Sequence, residues 1–451
     1  MRRAFLTVDL GFGDAGKGTI VDWLTRETGA HTVIRYNGGP QAAHRVVTPD
    51  PQPCEHIFSQ FGSGTLAGAE TYLSRFMLID PLAMTAEERH LCEVGVEDAF
   101  QRTAIDEGAL IITPFQRAAN RLSEIARGAA RHGSCGMGVG ETMIDALTHG
   151  SRALRAVDLK TVQRLREKLR FAQEVNRAKL ERLRPVLPDT PAVADEVAWL
   201  EDAGAVEWLV GVYGDLAPRL RIVGEEYLAA LLRRTGTVIF EGAQGVLLDE
   251  WHGFHPHTTW STTTLANAGQ LLTDAGFNGS ICRIGITRAY ATRHGAGPFV
   301  TEEACLTTIL TDARNQHHPW QGSFRVGWLD FVMLRYACDV TGSLDMLAVT
   351  CLDRLAEMPS VQICRRYRCN DTLIERIAPA PAPSLAYQER LTRTLWHCRP
   401  VLEPVTDAEA LLTLLACALN TPVGITSWGP TAREKRLTAA GNAAILWSQT
   451  S

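Results

Sequence analysis

Hydrophobic and polar residues follow two different periods along the chain, and the two periods predict different elements. The apolar run Ala4–Leu10 stops at glycines, as a buried strand does, and apolar residues at helical spacing then predict a helix over Lys17–Glu27. Four later apolar runs predict further strands: His31–Tyr36, Thr237–Phe240, Ser280–Ile286 and Met346–Thr350. The succession of strand, glycine loop and helix predicts an α/β fold of the P-loop type, with a large, mostly parallel central sheet flanked by helices.

The middle of the chain has a different pattern, which predicts helices. Val157–Leu187 is rich in Arg, Lys, Glu and Leu and predicts one or two surface helices, and Asp195–Val212 predicts another. The alternation of Pro and Ala over Ala378–Pro383 predicts an extended surface loop. Because no change of composition divides the chain sharply, we expect a single domain over residues 1–451, with a helical insertion at about 155–235 and a C-terminal elaboration.

Composition excludes several classes of protein. With 45% hydrophobic and 21% charged residues among 451, the chain is typical of a globular protein and not of a disordered one. The net charge of −5 argues against a dedicated nucleic-acid-binding protein but leaves room for local cationic sites. No apolar run is long enough to cross a membrane, and the N-terminus lacks the pattern of a secretory signal. The 11 cysteines are scattered without metal-binding spacing, so we expect reduced thiols and a cytoplasmic protein.

The segment Gly11–Thr19, which reads GFGDAGKGT, carries the most chemical information. Its glycines allow main-chain N–H groups to converge on an anion, and the helix that follows directs its positive end the same way. Lys17 adds a cation suited to phosphate. The segment nearly matches the Walker pattern, except that Gly18 precedes the threonine. A tight strand-to-helix turn with an exposed lysine is the alternative, but Asp14 inside the loop favours a functional site.

Seven ordered segments, beginning with this loop, resemble the adenylosuccinate synthetase family. GFGDAGKGTIVDWL and RYNGGPQAAH look like the family's GDEGKGK and RYxGGxNAGH, and FEGAQGVLLD, YATRHGAGPFVTE, GWLD, TCLD and SWGP follow in the family's order. The matches extend from residue 8 to residue 430, so the chain is identified as a member of this family. The resemblance implies an enzyme that phosphorylates the 6-oxygen of inosine monophosphate with GTP and Mg²⁺ and then displaces the phosphate with the amine of aspartate.

The resemblance implies roles for three catalytic residues. Asp14 aligns with the aspartate that takes the ring proton and binds Mg²⁺, and His44 aligns with the histidine that stabilises the transferring phosphoryl group. Gln244 aligns with a glutamine near the reacting oxygen. The main-chain carbonyl of Ala43, where the family has glycine, would be a second ligand for the metal. A structural histidine is the alternative interpretation of His44, but its spacing from Asp14 favours the catalytic one.

The resemblance also implies how GTP binds, with ATP as the alternative nucleotide. The phosphates would lie on the glycine loop, at Gly13, Gly16, Lys17, Gly18 and Thr19. Asp353 aligns with the aspartate that accepts hydrogen bonds from the guanine edge, whereas Cys351 replaces a family lysine and weakens this preference. A helix N-cap is the alternative role of Asp353. The other wall of the base pocket would consist of Ser427, Gly429 and Pro430.

Other residues match family positions that contact the purine nucleotide. Gln41 keeps an amide near the nucleotide phosphate, and Thr259 aligns with a threonine near the nucleotide. Ser134 and Cys135 stand where the family has two threonines that bind the monophosphate. Arg152 aligns loosely with an arginine that reaches the monophosphate of the neighbouring subunit, which would imply a homodimer.

The departures from the family gather in the subsite for the amine donor. Arginines hold the carboxylates of aspartate in the family, but Met137 and Ser323 stand at two of these positions, and Arg325 is retained. His294 replaces a small apolar residue. Losing one bidentate Arg–carboxylate contact costs about 1.5–3 kcal/mol. Losing two would therefore weaken aspartate binding by roughly a hundred-fold or more.

We therefore expect an amine donor other than aspartate, or aspartate bound in another way, with His317, His318 and Arg325 as replacement groups. Neutral drift is the alternative, but drift would scatter the changes. The oxo-substrate is inosine monophosphate, guanylate, its deoxy form or a related oxo-heterocycle. A paralogue of specialised metabolism, or a kinase-like NTP-dependent enzyme that forms no adenylosuccinate, remains open, whereas the intact catalytic residues disfavour a non-catalytic paralogue. The expected partners are small molecules, with no nucleic acid and no membrane.

Overall fold

The computed structural model describes residues 1–49, 53–312, 315 and 318–446. The strands in these residues are β1 (Arg2–Asp9), β2 (Thr32–Arg35), β3 (His44–Val47), β4 (Glu55–Phe58), β5 (Glu70–Leu73), β6 (Leu78–Ile79), β7 (Thr103–Asp106), β8 (Leu110–Ile111), β9 (Arg221–Val223), β10 (Gly236–Glu241), β11 (Ser280–Arg288), β12 (Ala291–His294), β13 (Phe324–Gly327), β14 (Leu329–Asp330), β15 (Met346–Thr350), β16 (Val361–Cys369), β17 (Thr372–Ile374), β18 (Cys398–Val405), β19 (Val423–Ser427) and β20 (Lys435–Leu437). The α-helices are α1 (Lys17–Thr28), α2 (Pro81–Glu93), α3 (Pro114–Arg127), α4 (Val139–His149), α5 (Val162–Leu183), α6 (Pro191–Glu201), α7 (Ala205–Leu216), α8 (Glu226–Leu232), α9 (Ala266–Asp274), α10 (Ala304–Ile309), α11 (Phe331–Thr341), α12 (Leu385–Leu395), α13 (Ala408–Leu419) and α14 (Ala439–Leu446).

A ten-stranded sheet organises the molecule, in the order β20-β19-β15-β11-β1-β10-β2-β5-β7-β9. Each neighbouring pair is parallel except β19 and β20, which are antiparallel. Parallel strands buried on both faces read as continuous apolar runs, which is why Ala4–Leu10 could be recognised. The predicted fold class, a large and mostly parallel sheet flanked by helices, is confirmed.

Helices cover both faces of this sheet because successive side chains of a strand point to opposite sides. On one face, Leu6 and Val8 of β1 belong to an apolar cluster that includes residues of α8, α9, α11 and α13. On the other face, Phe5 packs in a cluster with Ile20 and Leu24 of α1. A third cluster joins α3, α5, α6 and α7 in the predominantly helical part of the chain.

Most predicted elements are present, with one correction. The strands differ from their predicted bounds by a few residues at most, and the Ala378–Pro383 loop lies between β17 and α12. Val157–Leu187 contains α5 between two short 3-10 helices. Asp195–Val212 is not one helix: α6 ends and α7 begins around a turn in which Asp202 Oδ1 accepts a hydrogen bond from Gly204 N at 2.8 Å. The single domain with an insertion stays a prediction.

The carboxyl ends of five neighbouring strands lie side by side at one edge of the sheet. These strands are β15, β11, β1, β10 and β2, and they end at Thr350, Arg288, Asp9, Glu241 and Arg35. In parallel α/β sheets this edge is the usual place for a ligand site. Among the described residues, no helix is both long and apolar enough to cross a membrane.

Candidate active site

The glycine loop after β1 is built around the buried side chain of Asp9. Its carboxylate accepts hydrogen bonds from Gly11 N at 2.8 Å and Ala15 N at 2.9 Å, and it pairs with Lys17 Nζ at 2.7 Å. Charge-assisted contacts of this kind fix the loop and the first turn of α1 together. Because an ammonium group carries three N–H donors, Lys17 retains donors for a phosphate after this contact.

Asp14 occupies a strained position at the top of this loop. Its φ of 59° lies in the left-handed region, which Asp and Asn tolerate better than most residues. Arg288 at the end of β11 donates from Nε to the main-chain carbonyl of Asp14, and His294 Nε2 lies 3.5 Å from Asp14 Oδ2. The Asp14 side chain is 28% exposed, so its carboxylate is accessible to a ligand while its backbone is fixed.

His44 at the start of β3 is held by Glu241 at the end of β10. The distance from His44 Nδ1 to Glu241 Oε1 is 2.6 Å, and Glu241 also accepts hydrogen bonds from the main chain and hydroxyl of Ser63. Burial opposes the charge of Glu241, but His44, Arg35 and Ser63 outweigh this effect and lower the pKa of the carboxyl to about 2. An ionised carboxylate only accepts, so His44 donates from Nδ1 and keeps Nε2 for a ligand.

Gly18, the residue that breaks the Walker pattern, allows His44 to approach the glycine loop. A Cβ built on Gly18 would lie 2.9 Å from both the carbonyl carbon and the Cβ of His44. Any side chain at this position would therefore push β3 away from the start of α1. Gly18 thus serves the placement of the histidine as well as the shape of the phosphate loop.

Gln244 lies on the loop after β10, which touches the glycine loop directly. A Cβ on Gly245 would lie 2.1 Å from the carbonyl oxygen of Gly11 and 2.3 Å from Gly13 N, so these two backbones need the glycine. Gln244 has a φ of 61°, and its buried Oε1 finds no hydrogen-bond partner among the described residues. The amide of Gln41 is in the same situation at both of its polar atoms. Buried polar groups are normally paired, so these atoms indicate a place for a ligand.

The predicted base pocket lies beside the glycine loop, at the ends of β15 and β19. Thr350 Oγ1 donates to Ala15 O at 2.8 Å, and Thr19 Oγ1 donates to Pro430 O at 2.8 Å. Asp353 is exposed and is the first residue of a 3-10 helix. The N-cap residue of this helix is Leu352, so the structure does not show Asp353 as an N-cap. These contacts bring the TCLD and SWGP segments to the phosphate loop.

Two further contacts shape the SWGP wall. Ser427 is buried, and its hydroxyl donates to Gly429 O at 3.2 Å. Lys435 Nζ donates to the same carbonyl at 2.7 Å, and burial lowers the pKa of this amine to about 8. Gly16 meets the side chain of Thr350, where a Cβ would lie 3.2 Å from its methyl group.

The loop of residues 133–138 carries three predicted substrate residues, and α3 supports it. Asn120 Nδ2 donates to Ser134 Oγ at 3.0 Å, and Glu124 Oε2 accepts from Gly133 N at 3.0 Å. Cys135 and Met137 are both half-buried, and burial raises the pKa of the Cys135 thiol. The loop therefore has a defined place, but it offers no guanidinium at position 137.

The predicted donor subsite lies on the β12–β13 pair. His294 Nε2 also contacts Asn315 Oδ1 at 3.1 Å, and its buried Nδ1 finds no partner in the described residues. Arg325 is occupied by protein groups: Nη1 donates to Glu302 Oε2 at 2.6 Å, and Nη2 donates to the carbonyls of Gly295 at 2.6 Å and Gly297 at 3.0 Å. Ser323 is exposed, and its carbonyl accepts from Gly295 N at 3.0 Å.

The remaining predicted substrate residues make contacts outside the glycine loop. Arg152 is exposed, with its guanidinium 3.6 Å from the ring centroid of Phe171. Thr259 is half-buried, and its N–H donates to Leu248 O at 2.8 Å. His318 accepts from the N–H groups of residues 320 and 321 at 3.3 and 3.2 Å, while His317 lies outside the described residues.

Sequence reasoning missed three residues that position the others: Asp9, Glu241 and Arg288. Each is a polar residue at or next to the end of a buried strand, directly before a glycine-containing or functional segment. A charge that ends an apolar strand is the pattern that could have identified them, because burial of such a charge requires specific partners. All three act on the backbone or ring of a residue that the motifs already identified.

Comparison with known proteins agrees with this geometry. Residues 7–436 match the family model described as adenylosuccinate synthetase. The adenylosuccinate synthetase of Gloeobacter violaceus is 33% identical over 444 residues, covering 94% of this chain and 93% of that protein, and that of Clostridium beijerinckii is 32% identical over 407 residues, covering 89% and 87%.

Solved structures show the same fold. The fully ligated adenylosuccinate synthetase of Plasmodium falciparum has a TM-score of 0.77 at 20% identity, covering 96% of this chain and 99% of that one. The succinoaminodeoxyadenylate synthetase of cyanophage S-2L, bound to dGMP and dATP, has a TM-score of 0.58 at 16% identity, covering 100% and 99%. Together with the family model and the sequence relatives, these findings show that the chain belongs to the adenylosuccinate synthetase family of ligases.

Proposed function

We propose that this chain uses GTP and Mg²⁺ to phosphorylate the 6-oxo group of an inosine monophosphate-like purine nucleotide, which an amine then attacks to form a C–N bond. The observation that carries the proposal is that the segment holding Asp14, from the glycine loop to the start of α1, packs against both His44 at the start of β3 and the loop of Gln244. An amide-like oxygen is a poor leaving group, so a phosphate ester divides one difficult step into two easier ones.

The residues of the site suit the activation step. Asp14 carries an accessible carboxylate on a fixed backbone, as a general base for the ring N–H requires. Glu241 holds His44 through Nδ1, so Nε2 is the ring atom that remains to contact the transferring phosphoryl group. The N-terminus of α1 and Lys17 add positive charge for the phosphates. The unpaired Oε1 of Gln244 would accept a hydrogen bond from the purine.

Magnesium fits this donor set. Mg²⁺ in phosphoryl-transfer sites is usually held by one or two carboxylates together with phosphates and water. Asp14 and the main-chain carbonyl of Ala43 would hold it here, and the ion would neutralise charge on the phosphoryl groups. Within the described residues no group of three or more His, Cys, Asp or Glu side chains is placed to hold a metal, which suits an ion held largely by its substrate.

We propose further that the amine donor differs from aspartate or binds in another way. Met137 supplies no cation, and the Nη atoms of Arg325 already contact Glu302 and two carbonyls. Moving Arg325 to a substrate carboxylate would break an ion pair and two hydrogen bonds. The family's way of holding aspartate is therefore weakened at two positions at once.

One assay tests both levels of this proposal. Purified protein is incubated with Mg²⁺, inosine monophosphate and either GTP or ATP, with and without aspartate, and released phosphate and purine products are measured. Release that requires aspartate, with adenylosuccinate formed, contradicts the changed donor. Release only with another amine supports it. Phosphorylation without any ligated product favours the kinase-like alternative, and no release with any oxopurine overturns the ligase proposal.

An Asp14→Asn variant provides the matched control for this assay. Asn tolerates the left-handed backbone of residue 14 but cannot accept the ring proton, so we expect turnover to be lost while the circular dichroism spectrum and thermal midpoint stay unchanged. Asp98→Asn, a surface change on a side chain that is 53% exposed, should leave turnover unaffected. Substantial activity in Asp14→Asn would show that another group is the base.

We also propose a homodimer in which Arg152 reaches the partner's nucleotide. Its exposure and its position directly after the C-terminal end of α4 support the proposal. Sedimentation velocity gives the oligomeric state, and mixing an Arg152→Ala chain with an inactive Asp14→Asn chain should restore part of the activity if sites are shared. A strictly monomeric active enzyme would refute this arrangement.

A further inference from the structure

A cavity of about 600 Å³ lies next to the donor subsite and shares Arg325 with it. The principal side chains in its wall are Arg131, His132, Pro256, His257, Arg325 and Trp396. Its volume is within the range of small-molecule sites, roughly 300–1,000 Å³. Of the described residues in this wall, none is a member of the phosphate loop or of the catalytic set.

The charged and titratable groups that face the cavity favour an anion. Arg131 and Arg325 supply guanidinium groups, and no Asp or Glu is among the described lining residues. Burial, together with the neighbouring Arg293, lowers the pKa of His257 to about 4, and burial also lowers the pKa of His132. At neutral pH the positive charge of the wall therefore comes from Arg131, because Glu302 balances the charge of Arg325, and the imidazoles act as neutral hydrogen-bonding groups.

Two polar atoms of the wall are buried without a hydrogen-bond partner among the described residues. These atoms are Nδ1 of His257 and Nε of Arg325. Leaving a buried polar group unpaired costs about 1–3 kcal/mol, so a ligand that pairs with them has a source of affinity. Arg131 is held at the wall by its contact from Nη1 to Pro319 O at 3.5 Å and by its position 6.0 Å from the ring of Trp320.

The rest of the wall is apolar and contains an exposed indole. Trp396, at the end of α12, is 55% exposed, which is unusual for so large an apolar ring. Ala129, Ala130 and Ala296 add small apolar surfaces. A planar ring placed on an indole gains stacking of about 0.5–1.5 kcal/mol beyond the burial of its area.

We propose that this cavity binds a small aromatic carboxylate, with the carboxylate on the guanidinium of Arg131 and the unpaired Nε of Arg325, and with the ring on Trp396. The cavity adjoins both sides of the donor subsite, since residues 129–132 lead into the 133–138 loop and residues 295–297 directly follow His294. Two sources have this chemistry: the far end of an amine donor larger than aspartate, or a separate effector that sets the position of these segments. The binding itself does not depend on the proposed ligase reaction.

Calorimetric titration of the intact protein with indole-3-acetate tests the site, with the neutral indole-3-acetamide as the matched ligand. We expect the acid to bind at least about ten-fold more tightly than the amide, and Arg131→Ala to remove this difference. Arg393→Ala, a neighbouring cation outside the cavity wall, is the control and should change the affinity less than about two-fold. The proposal would be overturned if the acid and the amide bound equally tightly, or if Arg131→Ala and Arg393→Ala changed the affinity for the acid equally.

Trp396→Ala keeps the test decisive if Arg131→Ala fails to fold. We expect Trp396→Ala to weaken the binding of the acid and of the amide alike by roughly five- to ten-fold, because both ligands carry the ring. Trp208→Ala, another exposed tryptophan at 51% exposure, is its control. Unchanged affinity in Trp396→Ala would refute the ring position.

The phosphate-release assay then separates the two sources. Phenylalanine or tryptophan that drives phosphate release and becomes attached to the purine, with a raised KM in Arg131→Ala, identifies the cavity as the far end of the donor subsite. Indole-3-acetate that changes the rate with another amine, without being consumed, identifies an effector site. If no amine drives release but the acid still binds, the proposed function fails while the cavity proposal stands.

Discussion

The contact between Glu241 and His44 allows the sharpest test of the catalytic proposal, through a Glu241→Gln substitution. Glu241 is fully buried and holds His44 Nδ1 at 2.6 Å, so the substitution keeps the volume but removes the charge. A hydrogen bond to a charged group contributes about 1.5–3 kcal/mol, and a neutral one contributes about 0.5–1.5 kcal/mol. The expected loss is therefore about 1–2 kcal/mol of positioning energy for His44.

This loss should appear in turnover, because we propose that His44 contacts the phosphoryl group during its transfer and does not contribute to binding of the substrates beforehand. At about 1.4 kcal/mol per decade, the rate constant kcat should fall roughly 5- to 30-fold, while KM for the purine nucleotide changes less than about two-fold. Initial rates of phosphate release at varied nucleotide concentration measure both quantities. If Glu241 had only a structural role, the substitution would reduce the amount of folded enzyme, and kcat calculated per folded molecule would stay unchanged.

Glu87→Gln is the matched control for this substitution. Glu87 is also a buried carboxylate, but it accepts hydrogen bonds from the main chain of Ser59 and Gln60, at 2.9 Å each, and not from His44. We expect Glu87→Gln to lower the free energy of unfolding about as much as Glu241→Gln does, and to leave kcat unchanged. If both variants lose turnover equally, or if Glu241→Gln keeps full kcat, the assignment of Glu241 as the positioning residue of His44 is wrong.

The same substitution has a consequence for stability against pH. The pKa of Glu241 is about 2 in the folded protein against 4.5 for an unperturbed glutamate, so its ionised form stabilises the fold above pH 4.5 and loses this contribution as the pH falls towards 2. Urea unfolding at pH 6 and at pH 3 should therefore show that the wild-type advantage over Glu241→Gln in the free energy of unfolding is smaller at pH 3; a constant difference would contradict the depressed pKa.

Three other substitutions test the rest of the site. Gly18→Ala should displace His44, because its new Cβ would lie 2.9 Å from that residue, and we expect a loss of kcat with about 1–3 kcal/mol of stability, measured by turnover and urea unfolding. Asp9→Asn breaks the buried pair with Lys17 and should cost about 3–5 kcal/mol in unfolding free energy, so near-wild-type stability would contradict this role. Asp353→Asn should reduce the preference for GTP over ATP, measured as the ratio of kcat/KM for the two nucleotides, with little change in stability because the side chain is exposed.

Five neighbouring strands of the ten-stranded sheet, β15, β11, β1, β10 and β2, were predictable because they lie in its interior, whereas the strands on either side of them were not predicted. Such strands read as uninterrupted apolar runs, and Met346–Thr350 was located without error for this reason. The split of Asp195–Val212 into two helices was harder to predict, since apolar residues such as Leu200 and Leu209 continue on both sides of the turn. The turn depends on a local contact between Asp202 and Gly204, which periodicity does not reveal.

The motifs identified the candidate site residues but not the residues that hold them in place. Asp14 and His44 could be found from their segments, whereas their supports, Arg288 and Glu241, act across the sheet from strands far away in sequence. Long-range partners of this kind follow from strand order, which a single sequence does not contain. The sequence also did not reveal that Arg325 is already paired with protein groups, because its contacts with Glu302 and the 295–297 turn appear only in the structure.

The two halves of the proposed reaction rest on different parts of the fold, and this separation explains how one could change alone. The activation half lies at the ends of neighbouring strands of the main sheet, where Asp9 and Glu241 tie it into the core. The donor half lies on the β12–β13 pair, which forms a separate two-stranded sheet, and on the 133–138 loop. A change at Met137 or Ser323 therefore alters donor contacts without disturbing the buried network that holds His44. Under the proposed function, selection for a new amine donor could act on this outer layer while the phosphorylation chemistry stays intact, because Asp14 and His44 are kept while positions 137 and 323 carry no arginine.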